Sequence, residues 1–224
     1  MLEFHVDGAT IAVEPAHVVV AGWTGRDQAA VQHHIDELAA IGVAPPSTVP
    51  LYYRVGRHLV TQDGEIDAVG AGSSGELEPV VVVTAGGLLL TAGSDHTDRD
   101  LEAHSVALSK AIAGKPVARQ ALRFASIDDL DALTLHSEVS EDGKHWTDYQ
   151  RGTLASIRPL ASLVEGARAA LGGLPEGTVV FCGTLPTLTG AIVPARHFRG
   201  TISDPATDKS IAFAYSVKVL PEVS

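Results

Sequence analysis

Apolar positions along this chain recur mostly in short alternating or continuous runs, the mark of strands, and only occasionally at helical spacing. Phe4 to Val6 and Ile11 to Val13 flank Asp7-Gly8, a favoured turn pair, and predict a hairpin. Val18 to Ala21 reads as a buried strand. Ala29 to Ala40 carries helix formers, with Asp27 as N-cap, Gly42 as terminator, and Ile35, Leu38 and Ile41 on one face. Val49 to Val55 and Leu59 to Thr61 look extended, and the polar, Gly-rich stretch Asp63 to Ser74 reads as a loop. Val80 to Val83 and Leu88 to Thr91 form a second hairpin around Ala85-Gly86-Gly87. Asp98 to Ala113 is expected as one helix with Leu101, Ser105 and Leu108 on one side. Strands follow at Arg123 to Ala125, Leu133 to Val139 and Trp146 to Tyr149. A helix at Leu160 to Leu171 then ends at Gly172-Gly173, and strands close the chain at Thr178 to Cys182, His197 to Ser203 and Ile211 to Val219.

Strands dominate and helices come singly, so the pattern predicts an α+β, mainly β class rather than a doubly wound sheet. Residues 1–68 are expected to form a small N-terminal β/helix cap and residues 69–224 a β-rich body, the two making one continuous unit. No internal repeat, low-complexity tract or Pro-rich linker interrupts the pattern.

Composition narrows the function classes. Of 224 residues, 45% are apolar, enough for a sizeable core, while only 5% are aromatic. The formal net charge is -11, from 16 basic and 27 acidic residues, with no run of Lys and Arg. Nucleic acid is therefore not an expected partner, because phosphate binding needs clustered cations. No apolar run is long enough to span a bilayer, and the N-terminus lacks the pattern of a signal peptide. Cys182 is the single cysteine, so no intrachain disulfide can form; a cytoplasmic location is expected.

Three stretches carry candidate chemistry. In Gly75-Glu76-Leu77-Glu78-Pro79 the two carboxylates stand two apart before a strand, so they share a face if the strand already begins there. Two adjacent carboxylates repel, and a hard divalent cation relieves that repulsion; an exposed strand edge with two solvated Glu is the alternative. Ser94-Asp95-His96-Thr97-Asp98-Arg99-Asp100 packs three Asp, one His and one Arg between a strand and a helix, either as ordinary N-capping or as part of a site. At Gly183-Thr184 a strand ends where a backbone amide and a hydroxyl could hold a carboxylate or enolate oxygen.

The order of these pieces resembles the fumarylacetoacetate hydrolase superfamily. That family carries Glu-x-Glu on a strand, then an Asp-x-Ser/Thr-x-Arg-Asp segment, then a C-terminal Gly-Asp-apolar-apolar-x-Thr-Gly-Thr-Pro motif. The matching residues are Glu76 and Glu78, Asp95 to Asp100, and Gly177 to Thr184, and the closing strand Ala212 to Val217 is also similar. The resemblance implies a mixed β-sandwich or roll with a small N-terminal cap. It implies Glu76, Glu78 and Asp95 as ligands of Mg2+, Mn2+ or Ca2+, with Lys110 as the family's catalytic lysine and Lys115 as a nearer competitor. Thr184, with Gly183 and Arg99, would bind substrate. A His-x-x-Glu dyad in the cap matches His34 and Glu37, whose spacing puts them on one helix face. The chain departs from the family in three places. Trp23-Thr24-Gly25-Arg26-Asp27 replaces the usual Asn-Tyr, so that an ungapped alignment on Gly22 puts Gln28 at the His position; the segment between Glu78 and Asp95 is short; and Thr-Gly-Thr-Pro is weakened to Cys182-Gly183-Thr184-Leu185.

The activity this implies is metal-dependent hydrolysis of a carbon-carbon bond in a small β-dicarbonyl or acylpyruvate-like carboxylic acid through an enolate. Decarboxylation, hydration or isomerisation on the same platform, and a metal-free small-molecule-binding module, are the alternatives. By analogy with the family, a homodimer is expected. A zinc site using His96 and His104 is disfavoured by their two-turn separation, and Cys182, in an apolar strand, reads as an inert buried thiol.

Overall fold

The computed structural model describes residues 1–40 and 42–223. Two large sheets organise it. The six-stranded sheet has the order Leu122–Arg123, Gly87–Ser94, Leu77–Thr84, Thr178–Phe181, His17–Gly22 and Leu51–Val55. The five-stranded sheet has the order Thr147–Thr153, Thr134–Ser140, His197–Asp204, Lys209–Leu220 and Glu65–Val69.

The sheets pack face to face. Val19, Leu77, Val81, Leu90 and Val180 from the first meet Leu135, Phe198, Ile202, Ile211 and Tyr215 from the second in one core cluster. The alternate residues Val18, Val20, Val80, Val82, Val179 and Phe181 point the other way and are covered by Leu2, Phe4, Val6 and Val13 of the N-terminal hairpin. Because both faces of the first sheet are buried, its strands read as continuous Val and Leu runs rather than as alternation. The helix Leu160–Leu171 lays Leu160, Leu163, Val164 and Ala167 into the inter-sheet core and stops at Gly172, whose φ of 71° closes its C-terminus.

The expected elements mostly fall within a few residues of the observed ones. The first hairpin is Leu2–Val6 with Ala9–Val13, turning through positive φ at Asp7 and Gly8. The first helix is Gln28–Ala40, and the Asp27 Oδ1 accepts from the Ala29 and Ala30 amides at 2.9 and 3.2 Å. On its expected apolar face Ile35 is buried, whereas the side chain of Leu38 and all of Ile41 lie outside the described residues.

Two expectations are corrected. Asp63 to Ser74 is not one loop: Glu65–Val69 is an edge strand pairing in parallel with Ser216 to Leu220, and Ser73–Ser74 pairs with Thr97–Asp98. Its alternation of exposed Glu65, Asp67 and Val69 with buried Ile66 and Ala68 is a strand signal spanning only five residues, flanked by glycines. Asp98 to Ala113 is not one helix but two, Arg99–Glu102 and Val106–Ala111. Asp98 caps the first, and Ser105 interrupts the run because its side chain caps the second, accepting from the Leu108 amide at 3.3 Å. Leu108, expected on the apolar side, is 56% exposed.

Residues 1–68 are woven into both large sheets through His17–Gly22, Leu51–Val55 and Glu65–Val69, so they share the core of residues 69–224. No helix among the described residues is long and apolar enough to cross a membrane.

Candidate metal centre

The antiparallel ladder between Leu77–Thr84 and Gly87–Ser94 sets the site. Leu77 pairs with Ser94 and Glu78 with Gly93, and one step further the Asp95 amide donates to the Glu76 carbonyl at 3.1 Å. Residues opposite each other across a ladder project to the same face, as do residues two apart on one strand. Glu76, Glu78 and Asp95 therefore emerge together, and each offers an oxygen within 4.8 Å of the others. Gly93, opposite Glu78, has no space for a side chain: a Cβ there would lie 2.9 Å from the Pro116 carbonyl oxygen and 2.8 Å from Val80.

Cations surround the three acids. Lys110, on the Val106–Ala111 helix, reaches Asp95 Oδ2 at 2.5 Å and lies 4.0 Å from Glu76. Lys115, wholly buried, lies 3.0 Å from Asp95 Oδ1 and donates to the His96 carbonyl at 2.5 Å. Arg99 pairs with Glu76 at 2.9 Å and Glu102 at 2.8 Å, and donates to Ser74 Oγ at 2.7 Å. Glu78 differs: among the described residues no cation pairs with it, and its Oε2 accepts the Gly183 amide at 2.9 Å. Gly183 sits at φ 92° with the Thr24 side chain against it, so only glycine fits.

The electrostatics follow. Burial, reinforced by the charges of Asp95 and Glu76, holds the Glu78 carboxyl well above the usual carboxylate range. Burial pushes Asp95 the same way, but Lys110 and Lys115 outweigh it and hold that carboxyl below its ordinary value. For Lys110, Asp95 and Glu76 outweigh burial and raise its pKa; for Lys115, burial prevails and lowers it. A buried carboxylate cluster with one member lacking a counter-charge, made only of oxygen donors, fits a hard divalent ion rather than zinc.

The other expected residues are distributed around this centre. Thr184 donates its hydroxyl to the Leu77 carbonyl at 2.7 Å and accepts from Gln150 Nε2 at 2.6 Å. The Thr184 hydroxyl, the Gly183 amide and the Arg99 guanidinium thus donate to protein partners that hold the centre together. His34 and Glu37 lie on the first helix 3.7 Å apart, 62% and 59% exposed, and His33 is closer to Glu37, at 3.2 Å. Gln28, the rival for the His position, donates to the Gly25 carbonyl and accepts from Arg158.

Two aromatic residues stand near the first helix: Trp23, marked in the sequence only as part of a departure from the family pattern, and Tyr53, which no motif marks. Tyr53 shares the sheet face of Val20, opposite which it pairs, and its hydroxyl is raised in pKa by burial, with Lys110 and Asp95 close enough to act on its charge. Trp23 donates its indole N–H to the Tyr53 hydroxyl at 3.1 Å and lies 5.8 Å from the His34 ring. Trp23 holds φ 61°, an uncommon conformation for a bulky residue and one that clusters at functional sites. No sequence signal marks that backbone, since it is set by the strand end it leaves.

His96 points away from Asp95. Its Nδ1 meets the Tyr215 hydroxyl at 2.9 Å and its Nε2 the Ser73 hydroxyl at 2.8 Å, so it ties the two sheets together. Burial, with Lys115 and Arg99 adding to it, lowers its pKa to about 3, so the ring is neutral. Cys182 is fully buried, and burial, then the Glu78 charge, keeps its thiol protonated.

Among solved structures the fold is similar to that of Cg1458, with a TM-score of 0.68 and 19% identity over 92% of this chain and 77% of that one. It is similar also to 2-keto-3-deoxyarabinonate dehydratase, with a TM-score of 0.66 and 18% identity over 93% and 75%. A complex of that dehydratase with magnesium and 2,5-dioxopentanoate gives 0.65 and 18% over 93% and 74%. No curated protein matches the sequence. A family model, described as a protein of unknown function (DUF2848), matches residues 21–215, and the chain accordingly belongs to the DUF2848 family.

Proposed function

We propose that this protein is an enzyme of fumarylacetoacetate hydrolase type that uses one divalent ion, Mg2+ or Mn2+, held by Glu76, Glu78 and Asp95, to act on a small oxo-carboxylic acid through an enolate. The observation that carries the reading is the meeting of three carboxylates from two strands around a buried centre, one of them without a cation of its own. The magnesium complex of a dehydratase with this fold supports it.

A hard ion held by Glu76, Glu78 and Asp95 would supply Lewis acidity toward the oxygens of an oxo acid. Lys110, beside Asp95 and Glu76, places a positive charge where negative charge develops. Arg99, Gly183 and Thr184 act by fixing Glu76, Glu78 and the Leu77 backbone. Trp23 bonds the Tyr53 hydroxyl and packs against the His34 ring. In the hydrolytic reaction His34, paired with Glu37, takes the proton of the attacking water.

A lyase reading, dehydration or decarboxylation, is favoured by a separate observation. His34 and Glu37 are mostly exposed and 3.7 Å apart, so the general base that hydrolysis needs is not held in place. Assay of the purified protein with Mg2+ against acylpyruvates, oxaloacetate and 2-keto-3-deoxy sugar acids separates the two. Turnover of acylpyruvates, lost in His34→Ala, identifies the hydrolase; turnover of only the other two identifies the lyase. A metal-free binding module predicts that Glu78→Gln changes neither ligand binding nor the response to Mg2+.

A further inference from the structure

Asp95 is held by two lysines at once, Lys110 on Oδ2 at 2.5 Å and Lys115 on Oδ1 at 3.0 Å. One lysine suffices to neutralise one carboxylate. The second comes from a different element, the short strand Lys115–Pro116, which pairs in parallel with Val60–Thr61 and seats Lys115 beneath the site with no exposure. Lys115 reaches no substrate space: its ammonium group contacts Asp95 and the His96 carbonyl.

The consequence is a matter of charge. Arg99 is shared with Glu102, which offsets it. Once an ion displaces the proton that burial keeps on Glu78, the three carboxylates face the ammonium groups of Lys110 and Lys115, about one net negative charge in a buried pocket before the ion's own charge is added. A divalent ion entering alone would reverse that to a net positive charge, which a desolvated site tolerates poorly. An ion entering with an anionic, bidentate oxygen ligand restores balance.

We propose that Lys115 is a positioning residue that makes metal binding conditional on substrate: the ion is held firmly only together with a 2-oxo carboxylate or an equivalent chelating anion. This rests on the metal-centre reading above and adds an order of binding to it. It also assigns the ligand class, since a neutral or singly coordinating compound would not complete the charge.

The test is calorimetric titration of the full chain with Mn2+, with and without saturating oxalate, a planar bidentate dianion that mimics an enolate of a 2-oxo acid. The wild-type protein should bind Mn2+ at least about tenfold more tightly with oxalate present, within the usual range of coupling between two ligands. Lys115→Met removes the charge and shortens the side chain by only one atom. It should tighten Mn2+ binding without oxalate and shrink the oxalate effect, opposite to what loss of a purely structural contact would do. Circular dichroism reports whether the variant folds, and if it does not, Lys115→Gln, which removes the charge but can still donate to the His96 carbonyl, is titrated in the same way. Equal Mn2+ affinity with and without oxalate overturns the proposal while leaving the metal centre standing. A folded Lys115→Met protein that binds free Mn2+ no more tightly does the same. Absence of Mn2+ binding under both conditions overturns the metal centre itself, and the proposal with it.

Discussion

Among the described residues, two groups of side chains bring three potential metal ligands within 4.8 Å: Glu76, Glu78 and Asp95, and His136, Glu138 and Asp148. They differ in what surrounds them. On the outer strands of the five-stranded sheet, Arg199 grips Glu138 with two bonds of 2.6 and 2.8 Å, and its guanidinium lies 4.2 Å from the Trp146 ring centre. Arg151 and His136 hold Asp148, itself half exposed. Each acid there has a cation and water as well, and nothing remains for an ion to neutralise. At the inner centre burial removes water, and among the described residues Glu78 has only the Gly183 amide as hydrogen-bond partner. Proximity of acids is thus common to both; the unmet charge is confined to one.

Mutations at matched positions sharpen this contrast. Asp95→Asn leaves two buried ammonium groups without their shared partner and should lower unfolding free energy by about 3–5 kcal/mol in urea titration. Asp148→Asn should cost no more than about 1 kcal/mol. A similar cost at both positions would erase the distinction. Next, Mn2+ at a hundred times its Kd, with oxalate present, should stabilise the wild-type protein by about 2.7 kcal/mol over EDTA. Glu78→Gln should abolish that gain while Glu138→Gln keeps it, as read from thermal unfolding.

A third effect concerns pH. His96 titrates at about 3 in the folded protein against an ordinary 6.5, so below 6.5 the unfolded chain binds a proton that the folded chain refuses. Stability attributable to His96 is full above 6.5 and falls by about 1.4 kcal/mol per pH unit on acidification towards 3. A His96→Asn protein should show a flatter stability profile over that window. The smallest effect is expected for Arg199→Met, at most about 1 kcal/mol, because its pair with Glu138 is screened by water.

The contrast also explains what could be read from the chain. The two hairpins were legible because Asp7-Gly8 and the glycines near residue 86 interrupt continuous β-branched and Leu runs. The spacing of Glu76 and Glu78 gave their common face, since alternation along a strand is local geometry. The strand Glu65–Val69 escaped because five residues of alternation among glycines resemble a loop until Ser216 to Leu220 pairs with them. The break at Ser105 escaped because a serine inside a helical run declares itself as a cap only when its hydroxyl takes the Leu108 amide.

Local sequence, then, determined the strands, the turns and the phase of the acidic residues, because backbone propensity and period-two alternation act over a few residues. Tertiary structure decided that Asp95 faces Glu76, that Lys110 and Lys115 both close on it, and that Trp23 meets both Tyr53 and the His34 ring of the first helix. Those contacts join elements far apart in the chain. Their strength comes from burial and from the register of one ladder, which no single segment carries.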